Sequence, residues 1–374
     1  MAFPGKLLLI LLLVSGSLTC TSIPEDRVTA FPVVVERGAI GSAVEKLGDN
    51  AFSYSGIAFF NSKLIAGTNI GVLEIDLDGN SRLFKWTDFD DVVEEPWLDT
   101  ANSTLWFLHS NRQTLVRYSR EGWSEISLPG DVELTRADML NGIKGVGAKT
   151  GFWLRSTNAV WRWNDETRWT RVRMPEFDCS FNILDPTDRP RNSGCFAAFL
   201  PFSDKTFVVT HWRPISANES GDTPTQPDRV SILEAEGDLV EVNIPTPSKF
   251  IVDESMLKTS NDNAFAPSRT GGLIQISPNL IDYVNTPGKA EALTISSEGH
   301  AIAYFPGHGI FEWNGKWEKL FAEPEPYSPD FFYFLAKDTE RLAFATTPKR
   351  PRARSTRSQL WISEGKQLVE NTPF

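Results

Sequence analysis

A short pattern of apolar and polar positions recurs along the chain. It consists of a run of aliphatic and aromatic residues, a turn rich in Gly, Asn or Asp, and a second run. Such runs, bounded by turn formers, are typical of antiparallel hairpins. The pattern therefore predicts seven successive hairpins, whose first runs lie at 72–75, 115–118, 160–163, 230–233, 273–276, 310–313 and 360–363.

The hairpins recur at a nearly constant interval, which indicates a repeat architecture. Equivalent positions lie 37 to 49 residues apart, except for one interval of 72 residues between Trp163 and Ala235. A repeat of about 40–50 residues is that of a four-stranded propeller blade. The long interval leaves room for an insertion of about 25 residues beyond one blade.

Each hairpin is preceded by a further strand-like run, at 63–66, 104–107, 151–154, 206–209, 264–266, 301–304 and 341–344. Because a lone hairpin cannot bury its apolar face, sheets arranged around an axis would cover one another. The sequence predicts an all-β fold, a β-propeller of seven four-stranded blades, with six or eight blades as alternatives. Val33-Val34-Val35 are candidates to pair with the last blade and close the ring.

The N-terminal residues predict export. Lys6 is followed by eight apolar residues, 7–14, and then by small residues, which is typical of a secretory signal and too short to span a bilayer. A buried N-terminal strand is the alternative. We therefore expect a signal peptide over 1–20, a single propeller domain over 28–374, and a periplasmic, cell-envelope or extracellular location.

The three cysteines suggest two modifications of an exported chain. Cys20 follows the apolar run, as the lipidated cysteine of bacterial lipoproteins does, although Ser17 and Leu18 depart from the usual pattern. Ordinary cleavage nearby is the alternative, and a membrane contact is expected only through such an anchor. Cys179 and Cys195 form an even pair, which in an exported protein predicts a disulfide. Free thiols or a metal site are the alternatives.

Two long connections are candidate binding loops. They lie between the second and third strands of the fourth and seventh blades, on the face where propeller loops converge. The formal charge of −11 disfavours nucleic acid as a partner, yet the seventh-blade loop contains five cations and no acid. Such a patch attracts phosphate, carboxylate or an anionic surface, although a solvated charge run is the alternative. The predicted binding residues are Lys349, Arg350, Arg352, Arg354, Arg357, His211, Trp212 and Arg213.

No catalytic or metal signature stands out. The segment 142–150 imitates a phosphate loop, but Ala148 precedes its lysine and a strand follows, so a glycine-rich connection between strands is the preferred interpretation. The four histidines lack metal-ligand spacing. An acidic group in the link between the first two blades could hold Ca²⁺ but lacks the order of a known loop, so no cofactor or metal is predicted; its members are Asp88, Asp90, Asp91, Glu94 and Glu95.

The runs at 104–107, 115–118 and 123–126, and those at 151–154, 160–163 and 169–172, resemble propeller repeats in extracellular sensor regions of bacterial two-component regulators. No kinase-like portion accompanies them here. The resemblance implies a fold and a ligand- or protein-binding habit. The leading hypothesis is an exported, non-enzymatic propeller that binds a protein or glycan through its loop face. The alternatives are a metal-dependent propeller hydrolase or lactonase with an axial site, and an envelope scaffold.

Overall fold

The structure, a computed structural model, describes residues 32–45, 52–76, 78–86, 92–109, 114–129, 143–148, 150–156, 159–175, 194–212, 228–260, 262–349 and 357–371. Its regular structure is almost entirely strand. One helix, α1 (Arg37–Glu45), and two short 3-10 turns, Pro247–Lys249 and Glu254–Met256, are the helical elements in these ranges.

The strands form seven antiparallel sheets, which are the blades of a ring. The first three blades contain β1 (Val33–Glu36), β2 (Tyr54–Phe60), β3 (Lys63–Thr68), β4 (Gly71–Ile75) and β5 (Ser81–Lys85); β6 (Trp97–Asp99), β7 (Thr104–His109), β8 (Thr114–Ser119) and β9 (Gly122–Ser127); and β10 (Lys144–Ala148), β11 (Gly151–Arg155), β12 (Val160–Asn164) and β13 (Arg168–Arg171).

The fourth and fifth blades contain β14 (Gly194–Pro201), β15 (Thr206–Trp212), β16 (Arg229–Leu233) and β17 (Leu239–Glu241); and β18 (Lys258–Ser260), β19 (Asn263–Pro267), β20 (Leu273–Ser277) and β21 (Leu280–Val284). The sixth and seventh contain β22 (Ala292–Ile295), β23 (Ala301–Phe305), β24 (Gly309–Trp313) and β25 (Trp317–Phe321); and β26 (Phe331–Lys337), β27 (Leu342–Pro348), β28 (Gln359–Glu364) and β29 (Gln367–Glu370).

Within each blade, four consecutive strands pair in chain order, and the first of them lies at the centre of the ring. The prediction of seven four-stranded blades is confirmed. The seven predicted hairpins are the third and fourth of these consecutive strands in each blade, and the runs that precede them are the second strands. The weakest predicted run, Ala264-Phe265-Ala266, lies in β19.

The buried core consists of seven clusters, one at each interface between adjacent blades. Between the second and third blades, Trp106 is fully buried and stacks on Phe152, with ring centroids 4.3 Å apart and planes 3° apart. An indole of this size fills the wedge between two sheets, and removing such a group costs roughly 3–5 kcal/mol. The high tryptophan content of the chain thus serves the packing between blades.

The ring closes differently from the prediction. Val33-Val34-Val35 lie in β1, which pairs with β5 at the outer edge of the first blade and not with the last blade. The last blade already has four strands of its own, so it offers no vacancy at that place. Closure is made by packing of the first blade on the last and by hydrogen bonds, among them Tyr54 N to Thr347 Oγ1 at 2.8 Å and Ser358 Oγ to Phe52 O at 2.6 Å.

Two further features were not foreseen. Helix α1 places Ile40, which is fully buried, in the cluster between the first and last blades. The long interval in the repeat divides between two places, the link from β13 to β14 and the connection from β15 to β16. Over the part of the chain that the structure describes, every helix is too short or too polar to cross a membrane.

The two flat faces of the ring differ in their connections. On the face that we call the tight-turn face, short turns join the first strand of a blade to the second and the third to the fourth. On the opposite face, the loop face, lie the connections between second and third strands and the links from one blade to the next. The two long loops, at 213–228 and 349–358, both leave the loop face, as the sequence predicted.

Candidate functional site

The innermost strands of all seven blades surround a cavity at the centre of the ring, which we call the axial cavity. Its volume is about 180 Å³. Its walls combine apolar and ionisable side chains. The apolar group includes Ile57, Phe59, Trp97, Leu98, Val146, Phe199, Leu257 and Leu335, and the ionisable group is Glu95, Lys144, Arg155, Lys258 and Lys337.

Glycines in β10 allow the inner strands to approach closely. A Cβ atom at Gly145 would lie 2.2 Å from the Trp97 ring, and one at Gly147 would lie 1.6 Å from the carbonyl oxygen of Leu98. Only a residue without a side chain fits these positions. The glycine-rich segment is therefore an inner strand of the third blade, and its interpretation as a connection between strands was wrong. It is followed by β11 and not by a helix that could face a phosphate.

A similar close approach positions Glu95 at the cavity. This residue belongs to the link between the first two blades, and a Cβ atom at Gly56 would lie 2.8 Å from its Cα atom. The preceding Glu94 donates its backbone N–H to Leu108 O at 2.8 Å, which fixes the link on the second blade. Of the predicted acidic group, Asp88, Asp90 and Asp91 lie outside the described residues.

The carboxylate of Glu95 forms an ion pair across the ring with Lys258, the first residue of β18 in the fifth blade. Each of these two side chains keeps 27% of its surface exposed, towards the cavity that both line. Burial lowers the pKa of Lys258 to about 8. A second contact near the centre joins Thr259 Oγ1 to Gly147 O at 3.5 Å.

Three further cations line the same cavity. Lys144 and Arg155 stand directly opposite each other in the register of β10 and β11. Arg155 is buried and donates Nη1 to the carbonyl of Ala197 in the fourth blade. Lys337, at the end of β26, donates Nζ to Asp338 O at 3.0 Å.

The charge of the axial cavity is thus opposite to that of the whole chain. Its described lining contains four cations and one carboxylate, whereas the complete sequence has a formal charge of −11. Sequence reasoning missed this site, although it had noted Glu95 and the segment that contains Lys144. The inner strands carry no hairpin signature, and β18 is only three residues, Lys258–Ser260.

The predicted loop residues are only partly described. Lys349 donates Nζ to Pro329 O at 2.8 Å and lies 5.3 Å above the exposed ring of Phe332. Arg357 is exposed at the other end of the same loop. His211 and Trp212 end β15, where their backbones pair with Cys195 and Gly194. The structure does not describe Arg213, Arg350, Arg352 and Arg354, nor the side chains of His211 and Trp212.

The predicted modifications stay predictions. The signal segment 1–20 with Cys20, and also Cys179, lie outside the described residues, and of Cys195 only the backbone in β14 is described. For metal binding, the described ranges bring together no group of three or more His, Cys, Asp or Glu side chains that could hold an ion. His300 instead lies 3.3 Å from Glu312 Oε1 through Nδ1, within the sixth blade.

Seven blades around a shared cavity define the chain as a seven-bladed β-propeller. No protein-family model matches it, and no curated protein matches it in sequence. Among solved structures it is similar to virginiamycin B lyase from Staphylococcus aureus, with a TM-score of 0.50, 16% identity, and coverage of 79% of this chain and 92% of that chain. A catalytically inactive form of that lyase with quinupristin gives a TM-score of 0.51 and 16% identity, over 80% of this chain and 94% of that chain.

A further similar structure is the extracellular domain of BT4673 from B. thetaiotaomicron, with a TM-score of 0.44 and 13% identity, over 80% of this chain and 37% of that chain. At these identities the likenesses concern the fold. The resemblance to propeller sensor regions implied a fold, and the seven four-stranded sheets of this chain confirm that fold. Function has to be argued from the residues of this chain.

Proposed function

We propose that the protein is an exported, non-enzymatic propeller that binds a protein or glycan partner through its loop face. The observation that supports this most is the segregation of connections and charge. The connections at 213–228 and 349–358 leave the ring on the same face as the link that carries Glu95, and the sequence of the second connection contains five cations. A partner with acidic groups suits this face.

The anchoring of the seventh-blade loop supports the same role. Lys349 is held by Pro329 O, and its backbone N–H donates to Asp330 O at 2.7 Å, so the loop leaves the blade from a fixed point. The exposed ring of Phe332 beside it offers an apolar surface next to the cations. Aromatic residues, Phe among them, are enriched in protein interfaces.

The experiment replaces Lys349, Arg350, Arg352, Arg354 and Arg357 with Gln and measures retention on an immobilised acidic polysaccharide and on an immobilised acidic protein, each at low and high salt. We expect the variant to lose retention at low salt, and the unchanged protein to lose it at high salt, because exposed charges are screened. The polysaccharide and protein arms separate the two kinds of partner.

A matched control removes exposed cations from the tight-turn face. Arg120, Lys316 and Lys366 are exposed there, and their replacement with Gln lowers the net charge in the same direction. If this control loses retention as the loop variant does, general charge and not the loop face is responsible. Equal retention of the loop variant and the unchanged protein would overturn the proposal.

A further inference from the structure

The axial cavity carries an inference that does not depend on the loop-face partner. We propose that this cavity is a binding site for a small organic anion, with a carboxylate or similar oxyanion at one end and an apolar body at the other. Lys258 is the principal contact of the anionic group, and Lys144 and Arg155 contribute charge near it.

The charge of the lining determines the sign of the ligand. Four cations and one carboxylate line a space that is partly shielded from water, where electrostatic attraction is stronger than at an exposed surface. The acidic side chain that is present, Glu95, already contacts the ammonium of Lys258. Glu95 thus occupies the position that a ligand carboxylate would take, and it shows that the cavity accommodates a carboxylate at that point.

The partial exposure of the pair makes it available to a ligand. Lys258 and Glu95 each keep 27% of their surface open, whereas Arg155 keeps 5%. An incoming anion can therefore reach Lys258 Nζ from the cavity and share it with Glu95 or displace Glu95 from it. Arg155, which donates to Ala197 O, supports the wall and adds positive potential.

The size and the walls of the cavity determine the rest of the ligand. A cavity of about 150 Å³ lined by aliphatic and aromatic groups takes benzene. The axial cavity, at about 180 Å³, is slightly larger, and its lining includes the apolar residues Phe59, Trp97, Leu98 and Leu257, which are not fully buried. A ligand with one ring or a short carbon chain, together with one oxyanion, matches both the volume and the lining.

The probes are benzoate, phenyl phosphate and the neutral analogue benzamide, tested on the full chain by calorimetry and by thermal shift. We expect benzoate or phenyl phosphate to bind and to raise the melting temperature, and benzamide to do neither. Whichever anion binds more tightly identifies the oxyanion that the site prefers. Failure of both anions, or equal binding of benzamide, would overturn the proposal.

Two substitutions at the ion pair give opposite expected results. Lys258→Gln removes the principal contact and should weaken benzoate binding at least tenfold. Glu95→Gln removes the resident competitor and should strengthen it several-fold, because the ammonium no longer has a carboxylate partner in the protein. If the ion pair is purely structural, both variants should lose stability, and their affinities for benzoate should not change in opposite directions.

Two controls keep the result interpretable. If Lys258→Gln fails to fold, Lys144→Gln tests the same positive potential from the first residue of β10, and a several-fold loss is expected. The loop variant with all five cations replaced by Gln should bind benzoate as the unchanged protein does. Retained benzoate binding in that variant, with lost polysaccharide retention, separates this cavity from the loop face.

The pH dependence supplies a further readout. An anion prefers protonated Lys258, so benzoate affinity should fall as pH rises through the pKa of about 8, by up to roughly tenfold per pH unit above it. The other charged groups that line the cavity are Glu95, Lys144, Arg155 and Lys337. The Lys258→Gln variant should lose this dependence, and an affinity that is flat from neutral to alkaline pH in the unchanged protein would exclude Lys258 as the principal contact.

Discussion

The two faces of the ring differ in how their connections are built. On the tight-turn face, neighbouring blades are joined by side chains that reach from one turn to the next. Tyr118 Oη donates to Glu74 at 3.1 Å, Arg117 pairs with Asp165 at 2.5 Å, and Ser203 Oγ donates to Asp262 at 2.7 Å. On the loop face, hydrogen bonds also join blades, as at the seam between the first and last blades, but the long connections at 213–228 and 349–358 leave the ring there as well. The contrast is therefore between a face of short turns and a face that combines contacts between blades with long connections.

The largest stability effect is expected at the turn between β26 and β27 of the last blade, which forms a hydrogen bond to the first blade. Asp338 accepts hydrogen bonds from the backbone of Glu340 and Arg341 and from the Arg341 guanidinium, which also donates to Ser62 O at 2.9 Å. Asp338→Ala should lower the free energy of unfolding by about 2–3 kcal/mol, measured by urea denaturation.

The matched control for that variant lies on the other face. Asp330 is exposed in the link that precedes β26. Asp330→Ala should change stability by less than about 0.5 kcal/mol. Similar losses for both variants would mean that the two faces do not differ in the way described.

Acid should weaken the tight-turn face next. Burial raises the pKa of Asp338, but hydrogen bonds from Arg341 and Glu340 outweigh burial and hold it below its ordinary value. A carboxyl with a lowered pKa contributes stability above its unfolded pKa, and that contribution is lost as pH falls through the folded pKa. The stability difference between the unchanged protein and Asp338→Ala should therefore shrink between about pH 5 and pH 2.

Urea midpoints measured across that pH range check this expectation. A difference that stays constant into acid would show that Asp338 contributes through packing or backbone conformation and not through its charge.

A smaller effect is expected between the first two blades. Glu74 is 4% exposed and accepts from both Lys63 Nζ and Tyr118 Oη. Burial, together with Glu74, raises the pKa of Tyr118 to about 12. Tyr118→Phe should cost about 1 kcal/mol, because it removes one hydrogen bond to a buried carboxylate.

Tyr327 provides the control for this substitution, since it lies on the loop-face link between the sixth and seventh blades and is 37% exposed. Tyr327→Phe keeps its ring on Tyr333 and should cost less than about 0.5 kcal/mol. A larger loss at Tyr327 than at Tyr118 would reverse the comparison.

The smallest stability effect is expected at Lys349. Its hydrogen bond to Pro329 O and its position over Phe332 are both exposed, so Lys349→Ala should change the free energy of unfolding by at most about 0.5 kcal/mol. Urea denaturation measures it beside Asp338→Ala. A loss as large as that of Asp338→Ala would show that the base of the seventh-blade loop contributes as much stability as the tight turn.

The same contrast explains what the sequence could predict. Turns on the tight-turn face are local, and their signals are local too. Asp76, before the predicted turn at 78–80, accepts from the backbone of Asp78 at 3.0 Å and of Asn80 at 2.8 Å. An Asp that binds the backbone two residues on is a turn former with a known mechanism. Repetition of such turns was sufficient to predict seven blades.

The axial cavity could not be predicted in this way. Glu95 and Lys258 are 163 residues apart in the chain, and neither stands in a motif. Glu95 lies in the link two residues before β6, and Lys258 is the first residue of β18. Both strands have three residues, too few to show a period of two. Glu95 and Lys258 come into contact because the ring closes, and ring closure is a property of the whole chain.

The way the ring closes determines what its integrity depends on. No described strand is shared between the first and last blades, and the two are held by a buried apolar cluster and by side-chain hydrogen bonds such as Tyr54 N to Thr347 Oγ1. A defect in this one interface would therefore open the ring while every sheet keeps its own strands.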